Sequence, residues 1–377
     1  MDDIADVAVV GAGPAGSAAA LRVLQLRPDA RVLLLDAAAF PRDKTCGDGI
    51  AAHVLELLAA LGVPELDRLG PAVPRLRLRS PGGRVVARDC ARPNRVIPRM
   101  VFDAELVAAA VARGAELRRH RVRRLDLRAD RVVLDGSVAA RVVIGADGAN
   151  STVRRLLGAP RPPARTTAVA IRGYAPAALD PDALVIEFAR ARRSAYAWSF
   201  PLSGGGANVG YGVFDRHGTG TRREMLDALG ALLPGQEPAP ETVRGHHLPL
   251  STAPRHHPDG RVLLAGDAAA MINPLTGEGI YDAVASGALA GRAALLGGAA
   301  GAAHRAAMRR AFGRHHRHGA ALARLMPHTR FLDAAVTTAA RHGAVFDAAV
   351  DLGLGRGTAP ASALAREAAT YVTMRRV

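Results

Sequence analysis

The first forty residues alternate apolar runs with glycine, a pattern that predicts strand, turn, helix and strand. Residues 6–10 are a short β-branched run, and residues 11–16 form a glycine-rich turn. Residues 17–26 are rich in Ala and Leu and predict a helix, and residues 31–35 predict a second strand that ends at Asp36. This order is typical of a dinucleotide-binding unit.

The middle of the chain is predominantly β in pattern. The alternating residues 75–79, the PGG turn and the following RVVA predict a hairpin. A helix is expected over 103–113 and strands over 131–144, and further short strands are expected over 166–174, 183–189, 196–202 and 207–214. From residue 261 a strand and a long Ala-rich helix return, and the chain is helical from about residue 302. Dinucleotide-type segments therefore flank a β-rich insertion.

Composition narrows the class of protein. The 377 residues are 49% hydrophobic and 22% charged, as in globular proteins, and the net charge is +16. The arginines are scattered and aromatic residues make up 4%, so basic blocks interleaved with aromatics are missing and no nucleic-acid partner is expected. Attraction to an anionic membrane surface stays compatible with the charge.

The cysteines and the apolar stretches indicate the cellular compartment in which the protein is expected. Cys46 and Cys90 are far apart without a CxxC motif, which argues against a disulfide framework and a zinc site and fits a reducing cytoplasm. The apolar start follows Asp2, Asp3 and Asp6, the wrong sign for a signal peptide, and residues 283–303 are interrupted by Arg292 and glycines. We therefore expect a cytoplasmic protein with, at most, peripheral contact at the inner membrane face.

The histidine groups at 246–247, 256–257 and 315, 316 and 318 have no carboxylate or cysteine at ligand-like spacing in the sequence. No metal site is expected.

Gly11-x-Gly13-x-x-Gly16 is a weak signal by itself. Here a strand precedes it, a helix follows it, and Asp36 lies twenty residues after Gly16 at the end of the next strand. That arrangement places a pyrophosphate at a helix N-terminus and ribose hydroxyls on a carboxylate. Pro14, Ala15 and Ala37 belong to the same candidate cofactor site.

Two later motifs complete the pattern. Residues 142–158 form a strand ending at a turn with Asp147, and residues 261–280 form a strand ending at Gly266-Asp267, then Pro274 and the Gly277-Glu278-Gly279-Ile280 turn into a helix. In this order the three motifs resemble the FAD-binding fold of para-hydroxybenzoate hydroxylase-like flavoproteins. Asp267 would accept from ribityl hydroxyls, and N–H groups at residues 276–280 would face the flavin pyrimidine edge.

Two further stretches narrow the resemblance. FPRDKTCGDGI at 40–50 and YAWSFPLSGGGANVGYGVF at 196–214, together with NPLTGEGIYDA at 273–283, resemble geranylgeranyl reductases and their menaquinone-reductase relatives. The resemblance covers most of residues 5–295 and implies reduction of prenyl double bonds by reduced FAD, with an apolar tunnel for the substrate.

The fold class expected is α/β. A Rossmann-like FAD-binding domain (1–70, 95–160 and 255–300) would carry an inserted β-rich substrate domain (71–94 and 161–254), followed by a helical C-terminal region (301–377).

The resemblance also implies site residues. Those expected at the catalytic centre are Cys46, Gly47, Asp48, Tyr196, Trp198 and Phe200. Those expected to bind the cofactor, beyond the glycine turn and Asp36, are Arg42, Cys46, Gly47, Arg99, Asp147, Gly266, Asp267, Pro274, Gly277, Glu278, Gly279 and Ile280.

Several roles stay open at this stage. Cys46 would donate a proton, gate the flavin, or simply pack, with Lys44 or Arg42 favouring a thiolate. Trp198 and Phe200 would line the site or belong to the core, and Arg99 would contact the cofactor or solvent. Asn208 would be a polar site group or a turn residue, and it is interpreted as a turn residue.

Competing functions remain on the same fold. An aromatic or polyketide monooxygenase is the main alternative, a flavin halogenase is disfavoured because its W-x-W-x-I-P signature is absent, and a non-enzymatic redox sensor or electron relay is a third. No second nucleotide-binding βαβ unit is evident, so NAD(P)H would bind transiently or a small electron carrier would reduce the FAD. The substrate, the number of bonds reduced and the oligomeric state are left open.

Overall fold

We describe a computed structural model of the chain, covering residues 4–191, 194–214, 220–253, 256–355 and 357–375. Asp2 and Asp3 of the acidic leader lie outside these ranges, as do the last two residues of the expected C-terminal region.

Strands and helices follow the order expected from the pattern. The strands are β1 Ala5–Val10, β2 Val32–Asp36, β3 Gly49–Ile50, β4 Ala72–Arg79, β5 Val85–Val96, β6 Glu116–Arg119, β7 Leu125–Leu127, β8 Val132–Leu134, β9 Val138–Gly145, β10 Thr167–Ala175, β11 Ala183–Phe188, β12 Ala195–Pro201, β13 Ala207–Phe214, β14 Arg244–Pro249 and β15 Val262–Leu264. The helices are α1 Pro14–Leu26, α2 Ala52–Ala60, α3 Arg99–Ala112, α4 Thr152–Leu156, α5 Arg222–Leu232, α6 Ile280–Ala294, α7 Ala300–Ala323, α8 Thr329–Arg341, α9 Gly343–Leu354 and α10 Ala361–Arg375.

The first sheet has the strand order β6-β2-β1-β9-β8-β7, with β15 also paired to β9. Pairing is parallel from β6 through β9 and between β9 and β15, while β7 and β8 add antiparallel strands at one end. The carboxyl ends of β1, β2, β9 and β15 therefore share one edge, where ligands bind in open α/β sheets.

Helices α1 and α6 pack closely against each other because glycines remove side chains from their contact. A Cβ on Gly287 would lie 2.1 Å from the Ala15 carbonyl oxygen, and one on Gly291 would lie 2.4 Å from that of Ala19. This close approach packs the first turns of α1 against the second half of α6, and the two helices run in the same direction.

The second sheet has the order β14-β10-β13-β12-β11-β4-β5-β3. It includes β3, residues Gly49 and Ile50. This strand directly follows residues 44–48, the cysteine loop that contains Cys46, and lies in a segment expected to belong to the FAD domain. The loop thus runs from the first sheet into the second and spans the space between them.

The C-terminal helices cover the second sheet. Val336, Ala339 and Phe346 of α8 and α9 join Val73, Leu76, Val86, Val96 and Leu184 of the sheet in one apolar cluster. The helical C-terminal region therefore packs on the β-rich part of the molecule.

Two element boundaries differ from the pattern. Helix α1 begins at Pro14 rather than residue 17, since proline is well suited to the first helical position, and α3 begins at Arg99, directly after Pro98, rather than at residue 103. Asn208 lies inside β13, so its interpretation as a turn residue is wrong.

None of the described helices combines the length and the apolar character that crossing a membrane requires.

Candidate functional site

A cavity of about 710 Å³ runs between the two sheets and under the C-terminal helices. At one end it is lined by the strand-end motifs of the first sheet, and at the other by aliphatic and aromatic side chains. Its two ends therefore differ in chemistry.

The polar end begins at the N-terminus of α1. Gly13 precedes the helix and lines the cavity, and a Cβ there would project to within 3.6 Å of Arg42 Nη2. Asp36, at the end of β2, accepts hydrogen bonds from the N–H groups of Ala12 and Ala38, each at 2.9 Å. A helix N-terminus free of side chains, with a carboxylate beside it, is the geometry that holds a pyrophosphate and a ribose.

Gly11 and Gly16 serve the turn itself. Gly11 has φ +99°, and a Cβ on Gly16 would lie 1.8 Å from the Gly11 carbonyl oxygen. Gly16 therefore permits the turn to pack on the helix, and it does not line the cavity.

Arg42 connects this end to α3. Its guanidinium lies 3.8 Å from Asp36 and 3.3 Å from the buried Asp103. Asp103 also accepts two hydrogen bonds from Arg99, at 2.7 and 2.9 Å. Two cavity-lining arginines are thus fixed by one buried carboxylate, which puts positive charge at this part of the cavity.

Asp147 caps α4, since its carboxylate accepts from the N–H groups of Thr152 and Val153. Asp267 lines the cavity at the end of β15. Burial raises the pKa of Asp267, while Lys44, Arg99 and Arg154 oppose this. Both carboxylates stand at the strand edge that the sequence motifs indicated.

The start of α6 carries Glu278 and Ile280. The Glu278 carboxylate accepts hydrogen bonds from the N–H groups of Ile280, at 2.7 Å, and Tyr281, at 2.9 Å. Burial and the Asp282 carboxylate raise the pKa of Glu278 to about 8. Of the N–H groups expected at the flavin pyrimidine edge, that of Ile280 therefore already has an internal carboxylate partner.

The cysteine loop is held by a buried polar network centred on Asp48. Asp48 has φ +61° and accepts from Arg99 N–H at 3.1 Å, Tyr174 O–H at 3.0 Å and Asn208 Nδ2 at 2.8 Å. Asn208 also donates to the Cys46 carbonyl and accepts from Trp198 Nε1. These contacts join the loop to α3, β10, β12 and β13, so Asp48 and Asn208 fix where Cys46 stands.

Gly47 and Gly49 allow the loop to pass against the aromatic side chains. A Cβ on Gly47 would lie 3.3 Å from Trp198 Nε1, and one on Gly49 would lie 3.3 Å from the Phe200 ring. Larger residues at either position would push the loop away from the sheet.

Cys46 lines the cavity, as does Arg99, and the two side chains interact electrostatically. Burial raises the pKa of the Cys46 thiol, Arg99 opposes this, and Asp48 adds to it. Arg99 is the main cation that opposes this rise, and Lys44 also interacts favourably with the Cys46 sulfur. The raised pKa favours the neutral thiol, and stabilisation of a thiolate by Lys44 or Arg42 stays a prediction.

Lys44, the chain's one lysine, donates from Nζ to His246 Nε2 at 2.7 Å, and both residues line the cavity. Burial and the nearby Lys44 lower the pKa of His246 to about 3, so the imidazole is neutral and accepts. Burial also lowers the pKa of Lys44, while Asp267 opposes this. The sequence motif contained Lys44 but gave no sign of His246, since the two lie on separate strands and loops.

An aromatic wall separates the two ends of the cavity. Tyr196, Trp198 and Phe200 alternate on β12 and point to one face, with successive ring centroids 5.9 and 6.4 Å apart. Phe214 lies 5.7 Å from Tyr196, and the Tyr196 hydroxyl donates to the Thr276 carbonyl. The wall is thereby tied to the turn that starts α6.

The apolar end lies beyond this wall and is formed jointly by sheet and helices. The described side chains that line it are Leu76, Leu78, Leu184, Ile186 and Phe188 from the sheet and Ala339, Phe346, Ala349, Val350 and Leu354 from α8 and α9. Asn94 is a polar residue among them. Sequence reasoning missed the helical residues, because an amphipathic helix does not reveal which surface it covers.

The C-terminal helices are also bonded to the cofactor end. Asn273 Nδ2 donates to the Leu352 carbonyl at 2.8 Å, and the Thr276 hydroxyl donates to the Gly353 carbonyl at 2.7 Å. The end of α9 is therefore attached to the same turn as Tyr196, which couples both ends of the cavity.

Most of the expected site residues line the cavity, and four do not. Gly16, Asp48, Gly266 and Pro274 are absent from its described lining, since Gly16 and Gly266 serve close packing, Asp48 is fully buried in its network and Pro274 packs against Gly319. Their part in the site is indirect.

One histidine pair has an acidic neighbour that spacing could not reveal. Asp282, His315 and His316 are buried, and their potential ligand atoms lie within 4.8 Å of one another. His316 Nε2 is 3.5 Å from Asp282 Oδ2, and His315 Nδ1 is 2.8 Å from the Gly357 carbonyl oxygen. The absence of a metal site stays a prediction.

Parallel strand ends, a glycine turn and an acidic residue at the end of the second strand define a dinucleotide-binding protein. The sequence matches the family described as FAD binding domain over residues 4–310. It is 33% identical to menaquinone reductase of Mycobacterium tuberculosis over 324 residues, covering 77% of this chain and 76% of that protein. It is 36% identical to digeranylgeranylglycerophospholipid reductase 1 of Methanopyrus kandleri over 313 residues, covering 77% and 80%.

A solved structure agrees on the fold. A geranylgeranyl bacteriochlorophyll reductase-like protein of Thermoplasma acidophilum superposes with a TM-score of 0.79 at 22% identity, covering 92% of this chain and 96% of that one. The chain belongs to the FAD-dependent geranylgeranyl reductase and menaquinone reductase family. The fold class, the enzyme class and the family expected from the motifs are confirmed.

Proposed function

We propose that this protein reduces carbon–carbon double bonds in a polyprenyl chain, with FAD as the bound redox cofactor. The observation that carries the proposal is the cavity itself, in which a dinucleotide-type end continues past an aromatic wall into an apolar end lined by sheet and helix side chains. An apolar chain is the ligand class that such a lining favours.

The residues at the polar end fit FAD. The α1 N-terminus with Gly13 would hold the pyrophosphate, Asp36 a ribose, Asp267 the ribityl chain, and the start of α6 the pyrimidine edge. Bound FAD, once reduced, supplies the hydride that one alkene carbon receives.

The other alkene carbon requires a proton, and Cys46 is suited to provide it. Its thiol is favoured in the neutral form, lines the cavity and is fixed by Arg99 and by the Asp48 network. A thiol proton transferred to the second carbon completes the addition of two hydrogens, and solvent reprotonates the sulfur.

The aromatic wall and the α9 helix would position the double bond and exclude water. An isolated alkene has no carbonyl to polarise, so rate enhancement depends on holding the bond against the reacting groups. Phe200 and Trp198 lie against the loop that carries Cys46, and they would bound the reacting bond on the side of the sheet.

NAD(P)H or a small electron carrier would reduce the FAD. The protein would draw its lipid substrate from a membrane surface through peripheral contact, with the net charge of +16 contributing attraction to anionic lipid.

The proposal is tested by mixing the reduced protein with a polyprenyl lipid under strict exclusion of oxygen and following flavin absorbance. Reoxidation by the unsaturated lipid, and not by its fully saturated counterpart, is expected. Reoxidation that requires oxygen would instead favour a monooxygenase.

A further inference from the structure

The carboxylate of Glu278 occupies the N-terminus of α6 in the way a ligand would. Its Oε1 accepts from both Ile280 N–H and Tyr281 N–H, at 2.7 and 2.9 Å. The Ile280 N–H is one of the groups at residues 276–280 that the sequence motif assigns to the flavin pyrimidine edge, and the Tyr281 N–H is the next along the helix. The internal carboxylate is therefore a chemical stand-in for an electron-rich flavin oxygen.

We propose that Glu278 competes with the flavin for the N–H groups at the start of α6, so that FAD binding displaces its carboxylate and is coupled to uptake of a proton by Glu278. The inference rests on FAD binding alone and does not depend on the substrate.

Neighbouring carboxylates would destabilise the ionised form of Glu278 once its carboxylate is displaced from the N–H groups. Asp282 lies one turn further along α6, and Asp267 faces the same region from the end of β15. Tyr196 of β12 adds no cation, and its hydroxyl is bonded to the Thr276 carbonyl. Once the two N–H donors are lost, Glu278 retains two neighbouring carboxylates, and protonation removes that repulsion.

The neighbours of Asp282 complete the account of charge around the site. His315 and His316 of α7 lie next to Asp282, with His316 Nε2 at 3.5 Å from its Oδ2. On the cavity side the cations near Asp267 are Lys44 and Arg99, with Arg154 behind it. None of these three is among the main influences on Glu278, for which burial and Asp282 come first and together raise its pKa to about 8.

The direction of the pH effect follows from linkage. FAD binding raises the pKa of Glu278 above its value in the flavin-free protein, so affinity is full at pH values where Glu278 is already protonated. Affinity falls as pH rises past about 8, by roughly tenfold for each pH unit while one proton is taken up.

The test uses the full chain freed of flavin and titrated with FAD between pH 6.5 and 9.5. Calorimetry in two buffers of different ionisation enthalpy gives the number of protons taken up, and about one proton per FAD is expected near pH 9. No uptake and equal affinity across the range would overturn the proposal without any variant.

Substitutions test whether the proton taken up on FAD binding goes to Glu278. Glu278→Gln is expected to abolish the pH dependence, and Glu278→Ala is expected in addition to bind FAD more tightly than wild type at pH 9. Glu367→Gln is the matched control, because burial raises the pKa of that α10 carboxyl to about 7 and it does not line the cavity. The proposal fails if Glu278→Gln keeps the wild-type pH dependence or if Glu367→Gln removes it.

Discussion

At the scale of single residues, the site depends on buried hydrogen bonds that position a few reactive or binding groups. Asp48 illustrates this, since the motif placed it next to Cys46 but its carboxylate serves Arg99 N–H, Tyr174 and Asn208. Sequence spacing identified the loop. Two partners of Asp48, Tyr174 and Asn208, lie on strands more than a hundred residues away, and Arg99 lies at the start of α3, so the spacing could not reveal them.

Cys46 is expected to be needed for alkene reduction and not for FAD binding. Cys46→Ala and Cys46→Ser should retain FAD and lose most product, measured by mass spectrometry of the lipid. Because the thiol is the proton donor and burial raises its pKa, wild-type turnover should fall as pH rises past that pKa. Cys90→Ala is the control, and unchanged rates in both Cys46 variants would return Cys46 to a packing role.

Asp36 and Asp267 are expected to contribute to FAD affinity at opposite ends of the cofactor. Each alanine variant removes hydrogen bonds to a charged group worth roughly 1.5–3 kcal/mol, or about 10- to 150-fold in affinity. Titration with FAD measures this. Asp130→Ala, which alters an exposed ion pair with Arg131, should bind FAD as wild type does. Wild-type affinity in both site variants would contradict the assignment.

At the scale of elements, the pattern predicted strands and helices well and predicted their partners less well. The first βαβ unit is local, so glycines and β-branched runs within forty residues determine it. The position of α9 over the apolar end depends on contacts between residues far apart in the sequence. The side chains of Asn273 and Thr276 donate hydrogen bonds to the carbonyls of Leu352 and Gly353, some eighty residues away. Periodicity shows that a helix has an apolar face and leaves its target unknown.

A larger side chain on α9 that fills the apolar end of the cavity is expected to impair lipid turnover without changing FAD binding. Val350→Trp should lower kcat/KM for a long prenyl chain by roughly tenfold or more, because the larger side chain occupies the cavity. FAD affinity should not change, since the cofactor motifs lie at the other end. Ala344→Trp, on an exposed position of α9 outside the cavity lining, is the matched control. Equal turnover in the two variants would mean that the substrate does not occupy this end.

At the scale of the whole molecule, the net charge and the exposed apolar residues of the last helix bear on whether the protein binds a lipid surface. The chain carries +16, and Leu364 and Val372 of α10 are 41% and 51% exposed. Surface charge of this kind attracts proteins to anionic lipid within about a Debye length.

Binding to anionic vesicles is therefore expected at low salt and should weaken as salt is raised, as measured by co-sedimentation. Vesicles of neutral lipid are the control. No binding to anionic vesicles at low salt would favour a substrate delivered in soluble or carrier-bound form.

The central claim is that electrons from bound FAD saturate a prenyl double bond without oxygen. The most direct measurement is a single anaerobic turnover of the reduced protein with a polyprenyl lipid, followed by mass spectrometry of that lipid. The account predicts a product heavier by two hydrogens, formed in proportion to the flavin reoxidised. A lipid of unchanged mass beside flavin that stays reduced until oxygen is admitted, or a product that has gained oxygen, would contradict it.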